Sequence, residues 1–206
     1  KSTLMYLLTR LYEDKEGNGR VTIGGVDVRD IRADYLRRGV GLCLQEPFLF
    51  SRTIGENIGI TRRDMDVGEI RRAASIACVD EAITEFTHGY DTIVGERGVT
   101  LSGGQKQRTA IARMLTQHAP IMVFDDSLSA VDAETDLKIR TQLKANLGSS
   151  TVILISHRVT TLMSADRILV LDKGQVVQMG THEELMAQEG IYRHIFNMQM
   201  SSEVSA

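Results

Sequence analysis

Residues 121–126 read Ile-Met-Val-Phe-Asp-Asp, an unbroken run of four apolar residues closed by two carboxylates. Such a run is too short for a helix. Continuous rather than alternating apolarity marks a strand buried on both faces, as in a parallel sheet covered by helices. Moving outward, Thr151-Val152-Ile153-Leu154-Ile155 repeats the pattern and runs into Ser156-His157, while Val40-Gly41-Leu42-Cys43-Leu44 runs into Gln45. Arg20–Ile23 and Ile168–Leu171 are two further short β-branched runs. Strands 121–124 and 151–155 are expected in the middle of a parallel sheet. The polar residues that follow the runs then collect at the C-terminal edge, where open α/β sheets bind their ligands.

Between these strands lie helical periods: Thr3 to Tyr12, Val67 to Thr84, Gly104 to Gln117 and Asp132 to Leu147. Gly24-Gly25 and Lys173-Gly174 each separate two short β-forming runs and predict antiparallel hairpins. From about Thr53 to Gly95 the pattern is helical, which reads as a helical subdomain inserted into an α/β core. Met198 to Ala206 is small and polar and is expected to fray.

Composition bounds the function. The 206 residues are 42% apolar and 25% charged, the profile of a folded globular chain. A net charge of −3 offers none of the basic field that phosphate-backbone binding needs. No apolar run approaches the roughly 20 residues that cross a bilayer. Cys43 and Cys78, far apart and without metal-ligand spacing, read as buried thiols in a reducing compartment. The opening Lys1-Ser2-Thr3, with no initiator Met, reads as the start of a fragment.

Several short patterns carry chemistry. Lys-Ser/Thr ends the glycine-rich loop that cradles nucleotide phosphates, the Lys reaching the β/γ-phosphates and the hydroxyl binding Mg²⁺; Lys1-Ser2 has that form but the glycines are absent. Leu101-Ser102-Gly103-Gly104-Gln105 opens a helix that Ser102 can cap, and a helix N-terminus is also where an anion binds. Asp125 and Asp126 place two carboxylates at a strand end, one suited to holding Mg²⁺, the other to orienting an attacking water. Taken singly, each has a bland alternative: a surface Lys, an N-cap loop, capping acids, a rim histidine at 157.

Taken in order, Lys1-Ser2-Thr3, Gln45, Leu101 to Gln105, Phe124-Asp125-Asp126, Ser129 to Asp132 and His157 make the chain resemble the nucleotide-binding domain of an ATP-binding cassette (ABC) transporter over nearly its whole length. Ser102 lies 23 residues before Asp125, and His157 lies 32 after it. The resemblance implies a P-loop NTPase core, with ATP and Mg²⁺ as cofactors. Lys1, Ser2 and Thr3 correspond to the end of the Walker A motif, Gln45 to the Q-loop, and Ser102, Gly103, Gly104 and Gln105 to the signature that reaches ATP held by a second domain. Asp125 corresponds to the Walker B carboxylate, Ser129 to Asp132 to the D-loop, and His157 to the switch histidine. The implied metal set is Ser2, Gln45 and Asp125, and the implied catalytic set Asp126, His157 and Gln45. Residues 1–52 and 106–197 would form the ATPase core, 53–105 the helical signature subdomain and 198–206 a flexible tail.

Thr92 to Gly98 resembles the X-loop of exporters, and Gln45 to Phe50 with Thr53-Ile54 and Glu56-Asn57-Ile58 fits the same branch. Export, at the cytoplasmic face of a membrane such as the bacterial inner membrane, is therefore the implied role, with transmembrane coupling helices and a second nucleotide-binding domain as partners. One departure matters. The family's usual Glu after the Walker B Asp is Asp126 here, one methylene shorter, and a misplacement of about 1 Å can cost about 10²-fold in rate. A slow site of its own beside a complete signature points to a heterodimer with a Glu-bearing partner. The alternatives are a nucleotide-gated module with little hydrolysis and a symmetric homodimeric exporter. A DNA-repair ATPase is disfavoured by the absence of sustained heptads before Leu101 and by the net acidity.

Overall fold

The structure is a computed structural model and describes residues 1–13, 19–62, 64–95 and 99–204, with side chains through residue 201. The chain divides into two compact units, one spanning Ser2–Ile153 and the other Leu154–Ala206 together with Lys1.

A three-stranded sheet has the order β3 (Val40–Cys43), β4 (Ile121–Asp125), β5 (Thr151–Ile155). Strands β3 and β4 run parallel, with Val40 opposite Ile121 and Cys43 opposite Phe124. As its unbroken apolarity predicts, β4 is central and buried. The expectation for 151–155 is corrected: among the described residues β5 is the outer strand of the three, and its residues are exposed or half-buried. A run of Val, Ile and Leu reports strand preference, but it cannot report how many neighbours a strand has. The paired ends of β1 (Thr22–Ile23) and β2 (Val26–Asp27) meet across Gly24-Gly25, whose φ values of 58° and 84° are those of a type I′ turn.

Helix α1 covers Ser2–Leu8, α2 Ala33–Gly39, α3 Ile54–Gly59, α4 Val67–Ile76, α5 Asp80–Thr84, α6 Gly103–Leu115 and α7 Ala133–Asn146. Two helices stop short of their expected ends for the same reason. Arg10 (φ 51°) and Cys78 (φ 53°) take the left-handed conformation just past α1 and α4. There the Leu11 N–H bonds the Tyr6 carbonyl at 2.8 Å, and the Val79 N–H bonds the Ala74 carbonyl at 2.9 Å. These are Schellman closures, normally announced by a glycine. With Arg and Cys in that place the apolar period runs on unpunctuated, so Thr3 to Tyr12 read as one helix and Val67 to Thr84 as another. Helix α6 forms the spine of the larger unit, with Ile111 and Ala112 fully buried.

The smaller unit holds α8 (Val159–Leu162), the antiparallel pair β6 (Ile168–Asp172) and β7 (Gln175–Gly180), α9 (His182–Met186) and α10 (Ile191–Val204). Its core is Val159, Ile168, Leu185 and Tyr192. Lys173 (φ 47°) and Gly174 (φ 83°) make the expected type I′ turn. The stretch expected to fray from Met198 is instead helical through Val204, and residues 205 and 206 lie outside those described. Gln199 explains the continuation. Its side chain accepts from the Val159 N–H at 2.8 Å and donates to the His157 carbonyl at 2.7 Å, giving a polar residue a fixed place.

Candidate functional site

The C-terminal edge of the parallel pair is where the polar residues gather. Because Cys43 lies opposite Phe124, the chain leaves β3 toward Gln45 at the same edge where β4 ends in Asp125 and passes to Asp126. Asp125 is buried, at 5% exposure. Asp126 is half-buried and adopts φ 47°, a left-handed conformation that Asp tolerates better than most residues. That turn starts a tight loop, with the Ser129 N–H on the Asp126 carbonyl and the Val131 N–H on the Leu128 carbonyl, both at 3.2 Å. Asp132 ends it by capping α7: its carboxylate accepts from the Thr135 N–H at 2.9 Å, which holds the carboxyl below its usual range.

Helix α6 opens with the expected cap. Ser102 Oγ accepts from the Gln105 N–H at 3.2 Å, and Gln105 Oε1 accepts from the Ser102 N–H at 2.9 Å, a reciprocal capping box. In the first turn of a helix the N–H groups of Gly103 and Gly104 have no intrahelical acceptor, so this end carries donors and partial positive charge. Both glycines lie against the loop after β4. A Cβ on Gly103 would stand 3.5 Å from Ala130 Cβ, and one on Gly104 only 3.0 Å from the Ala130 carbonyl oxygen. At the second glycine backbone meets backbone, and a side chain there would push the loop by a few tenths of an ångström.

A residue that sequence reasoning missed joins these parts. Gln107, buried at 4% exposure, donates from Nε2 to the Gln45 carbonyl and to Ser129 Oγ, both at 3.2 Å, and accepts at Oε1 from the Ala130 N–H at 3.0 Å. A Gln one turn inside an amphipathic helix carries no signal by itself; a buried position on the apolar face of α6 was the only clue. Farther along α6, Arg113 donates to the Phe48 carbonyl, the Asn57 carbonyl and Asn57 Oδ1, each at 2.8 Å. Asn57 in turn accepts from the Phe50 N–H and donates to the Phe50 carbonyl, both at 2.9 Å. The Glu56-Asn57-Ile58 stretch therefore closes the loop that leaves Gln45, and Thr53 with Glu56 caps α3 beside it. Between this loop and α6 lies an open groove of about 330 Å³ lined by Leu42, Pro47, Phe48, Phe50, Arg113 and Met114.

Of the remaining sequence candidates, Ser2 and Thr3 begin α1, Ser2 half-buried and Thr3 exposed, and Lys1 is exposed. His157 is exposed in the smaller unit, its backbone fixed by Gln199. Most of Thr92 to Gly98 is described, but Glu96, Arg97 and Gly98 lie outside the described residues. Among the described residues no three His, Cys, Asp or Glu side chains form a metal cage. The oxygen donors of Ser2, Gln45 and Asp125 are nevertheless of the hard type that Mg²⁺ takes, and Mg²⁺ commonly needs only one or two carboxylates besides phosphate and water.

Comparison with known proteins fits this geometry. Residues 1–129 match the family described as ABC transporter. The chain is 44% identical over 199 residues to a putative multidrug export ATP-binding/permease protein, YgaD, of Bacillus subtilis (strain 168), covering 97% of this chain and 34% of that protein. It is 41% identical over 202 residues to the ATP-dependent lipid A-core flippase of Haemophilus ducreyi, covering 98% and 34%. The structure of a bacterial Atm1-family ABC exporter with ATP bound superposes with a TM-score of 0.92 at 40% identity, over 97% of this chain and 35% of that one. The chain thus spans about a third of the length of these relatives. A strand-end pair of aspartates, a capped glycine turn on α6 and a family match across the sequence that contains both lead to one conclusion: the chain belongs to the ABC transporter family.

Proposed function

We propose that this chain is the ATP-binding and hydrolysing module of a membrane exporter, working head to tail with a second nucleotide-binding domain at the cytoplasmic face of a membrane, such as a bacterial inner membrane. The observation that carries the reading is the packing of the Ser102–Gln105 turn on the loop that carries Asp126. One element offers N–H donors to a phosphate, and the other offers carboxylates to a metal and a water. In this reading Lys1, Ser2 and Thr3 bind phosphate, Ser2, Gln45 and Asp125 hold Mg²⁺, Asp126 orients the attacking water, and His157 contacts the γ-phosphate. Mg²⁺, when bound, neutralises charge on the phosphates. Ser102, Gly103, Gly104 and Gln105 face ATP held by the partner.

Residues 1–52 and 106–197 then act as the ATPase core and 53–105 as the signature subdomain. The groove between Phe48, Phe50 and α6 is apolar, with Phe48 70% exposed, and Arg113 lies 5.7 Å from the Phe50 ring centroid. Those features suit an amphipathic coupling helix of a transmembrane domain. Multidrug and lipid export, as named for the relatives, are the substrate classes to try first.

Asp126 favours an asymmetric pair. Its carboxylate is one methylene shorter than Glu, so a water it holds is poorly aligned, while the intact signature serves the partner's site. The test is steady-state ATP turnover by the intact protein that carries this chain, without other subunits, against the Asp126→Glu form. Slow turnover that Glu raises by about 10²-fold supports a weakened base and a Glu-bearing partner. Equal, rapid turnover of both forms points to a symmetric homodimer. ATP binding without turnover in either form, even with a partner, overturns the hydrolytic reading in favour of a nucleotide-gated module.

A further inference from the structure

We propose that Gln107 is a positioning residue that ties the loop after β3 to the loop after β4, so that Gln45 and Asp126 are held in one geometry and shift together with the first turn of α6. The proposal rests on the hydrolytic reading above. The tie is chemically unambiguous. Only an amide oxygen can accept from the Ala130 N–H, and only an amide nitrogen can donate to the Gln45 carbonyl, so the side chain has one usable orientation. Three bonds from one buried amide reach residues 62 positions upstream and 22 and 23 positions downstream.

Each loop is held locally, the one after β4 by the Ser129 N–H on the Asp126 carbonyl and the one after β3 by Asn57 and Arg113, and the Gln107 amide is the side chain that bonds both. Gln45, Ser129 and Ala130 are exposed, and regular strand structure has ended at Cys43 and Asp125. The tie also has a rigid base. Gln107 stands one turn inside the helix whose Gly104 abuts the Ala130 carbonyl, and Arg113, two turns farther on, grips the Phe48 carbonyl of the same upstream loop. Displacement of the glycine turn by a nucleotide on the partner's site therefore reaches Ala130 through contact and Gln45 through the Gln107 amide. A side chain that cannot hydrogen-bond would leave the packing of α6 in place and uncouple the two loops.

The experiment is Gln107→Met in the intact protein, with the exposed-site variant Ser129→Ala as a second cut of the same tie. Four quantities are read: kcat and KM for ATP hydrolysis, the thermal midpoint, and amide hydrogen exchange at Ala130. The expected result for Gln107→Met is a fall in kcat of about tenfold or more, KM for ATP within about threefold, an almost unchanged midpoint and faster exchange at Ala130. Ser129→Ala should lower kcat less, and the double variant should lose less than the product of the single losses, since both cut one linkage. Wild-type kcat in Gln107→Met overturns the proposal. So does a loss of kcat that tracks a lowered midpoint and a raised KM, because that is the signature of a structural role alone. Should Gln107→Met fail to fold, wild-type kcat together with unchanged exchange at Ala130 in Ser129→Ala overturns it. If the parent protein turns over no ATP, the hydrolytic reading falls, and exchange at Ala130 still decides whether Gln107 ties the loop.

Discussion

Gly104 and Ala130 meet backbone to backbone: a methyl group on Gly104 would stand 3.0 Å from the Ala130 carbonyl oxygen. The contact locks the start of α6 to the loop after β4, and it has no flexible side chain to absorb an intrusion. Gly104→Ala is therefore expected to shift that loop by a few tenths of an ångström and to lower ATP turnover by about 10-fold to 10²-fold. The thermal midpoint should move little. Steady-state kinetics beside a melting curve check both.

Arg113 satisfies three acceptors from a half-buried guanidinium, and burial lowers its pKa from the ordinary arginine value. Removing it strips Asn57 and the Phe48 carbonyl of a charged donor. Arg113→Met should destabilise the larger unit by about 2–4 kcal/mol, and Arg113→Lys should recover only part, because a single ammonium cannot reproduce the planar fork. Urea unfolding of the three forms measures the difference.

Gly41 lets β3 pass α6 at close range. A Cβ there would lie 2.8 Å from Met114 Cγ and 3.6 Å from Ala119 Cβ. Gly41→Ala is expected to cost about 1–3 kcal/mol through overpacking, and shortening the obstacle with Met114→Ala in the same chain should return part of it. Denaturation midpoints of the single and double variants decide this.

Burial pushes the Cys43 thiol up to about 12 from its ordinary value of 9.0. Below pH 9 the thiol is neutral whether the chain is folded or not, and its contribution is constant. Above pH 9 the unfolded chain releases the proton and the folded one keeps it, so stability falls as pH rises toward 12, by up to about 1.4 kcal/mol per pH unit. The urea midpoint of the wild type should therefore decline more steeply between pH 9 and 11 than that of Cys43→Ala. Parallel declines would contradict the burial effect.

Much of the architecture was legible in one sequence because its signals are local. The Val- and Ile-rich runs at 121–125, 151–155 and 168–172 are strands, the Gly24-Gly25 and Lys173-Gly174 turns are where the two φ > 0 residues of a type I′ turn are needed, and Ser102 caps the helix it precedes. The misses share a cause as well. Arg10 and Cys78 close helices with no glycine to announce them, and Gln199 extends α10 by bonds to residues about 40 positions away.

The same division holds at the candidate site. Asp125, Asp126, the Ser102–Gln105 turn and Gln45 could be singled out as candidates because their spacing is fixed along the chain and their chemistry resides in the residue type. The sequence by itself therefore determined the class of fold, the strand-end position of the carboxylates and the family resemblance. Only the tertiary structure decided that β5 is the outer strand of its sheet among the described residues, that a Cβ on Gly104 would press on Ala130, and that Gln107 and Arg113 clasp the loop after β3. These facts depend on which backbone groups lie opposite a side chain 22 to 65 residues away, and no local preference encodes that distance.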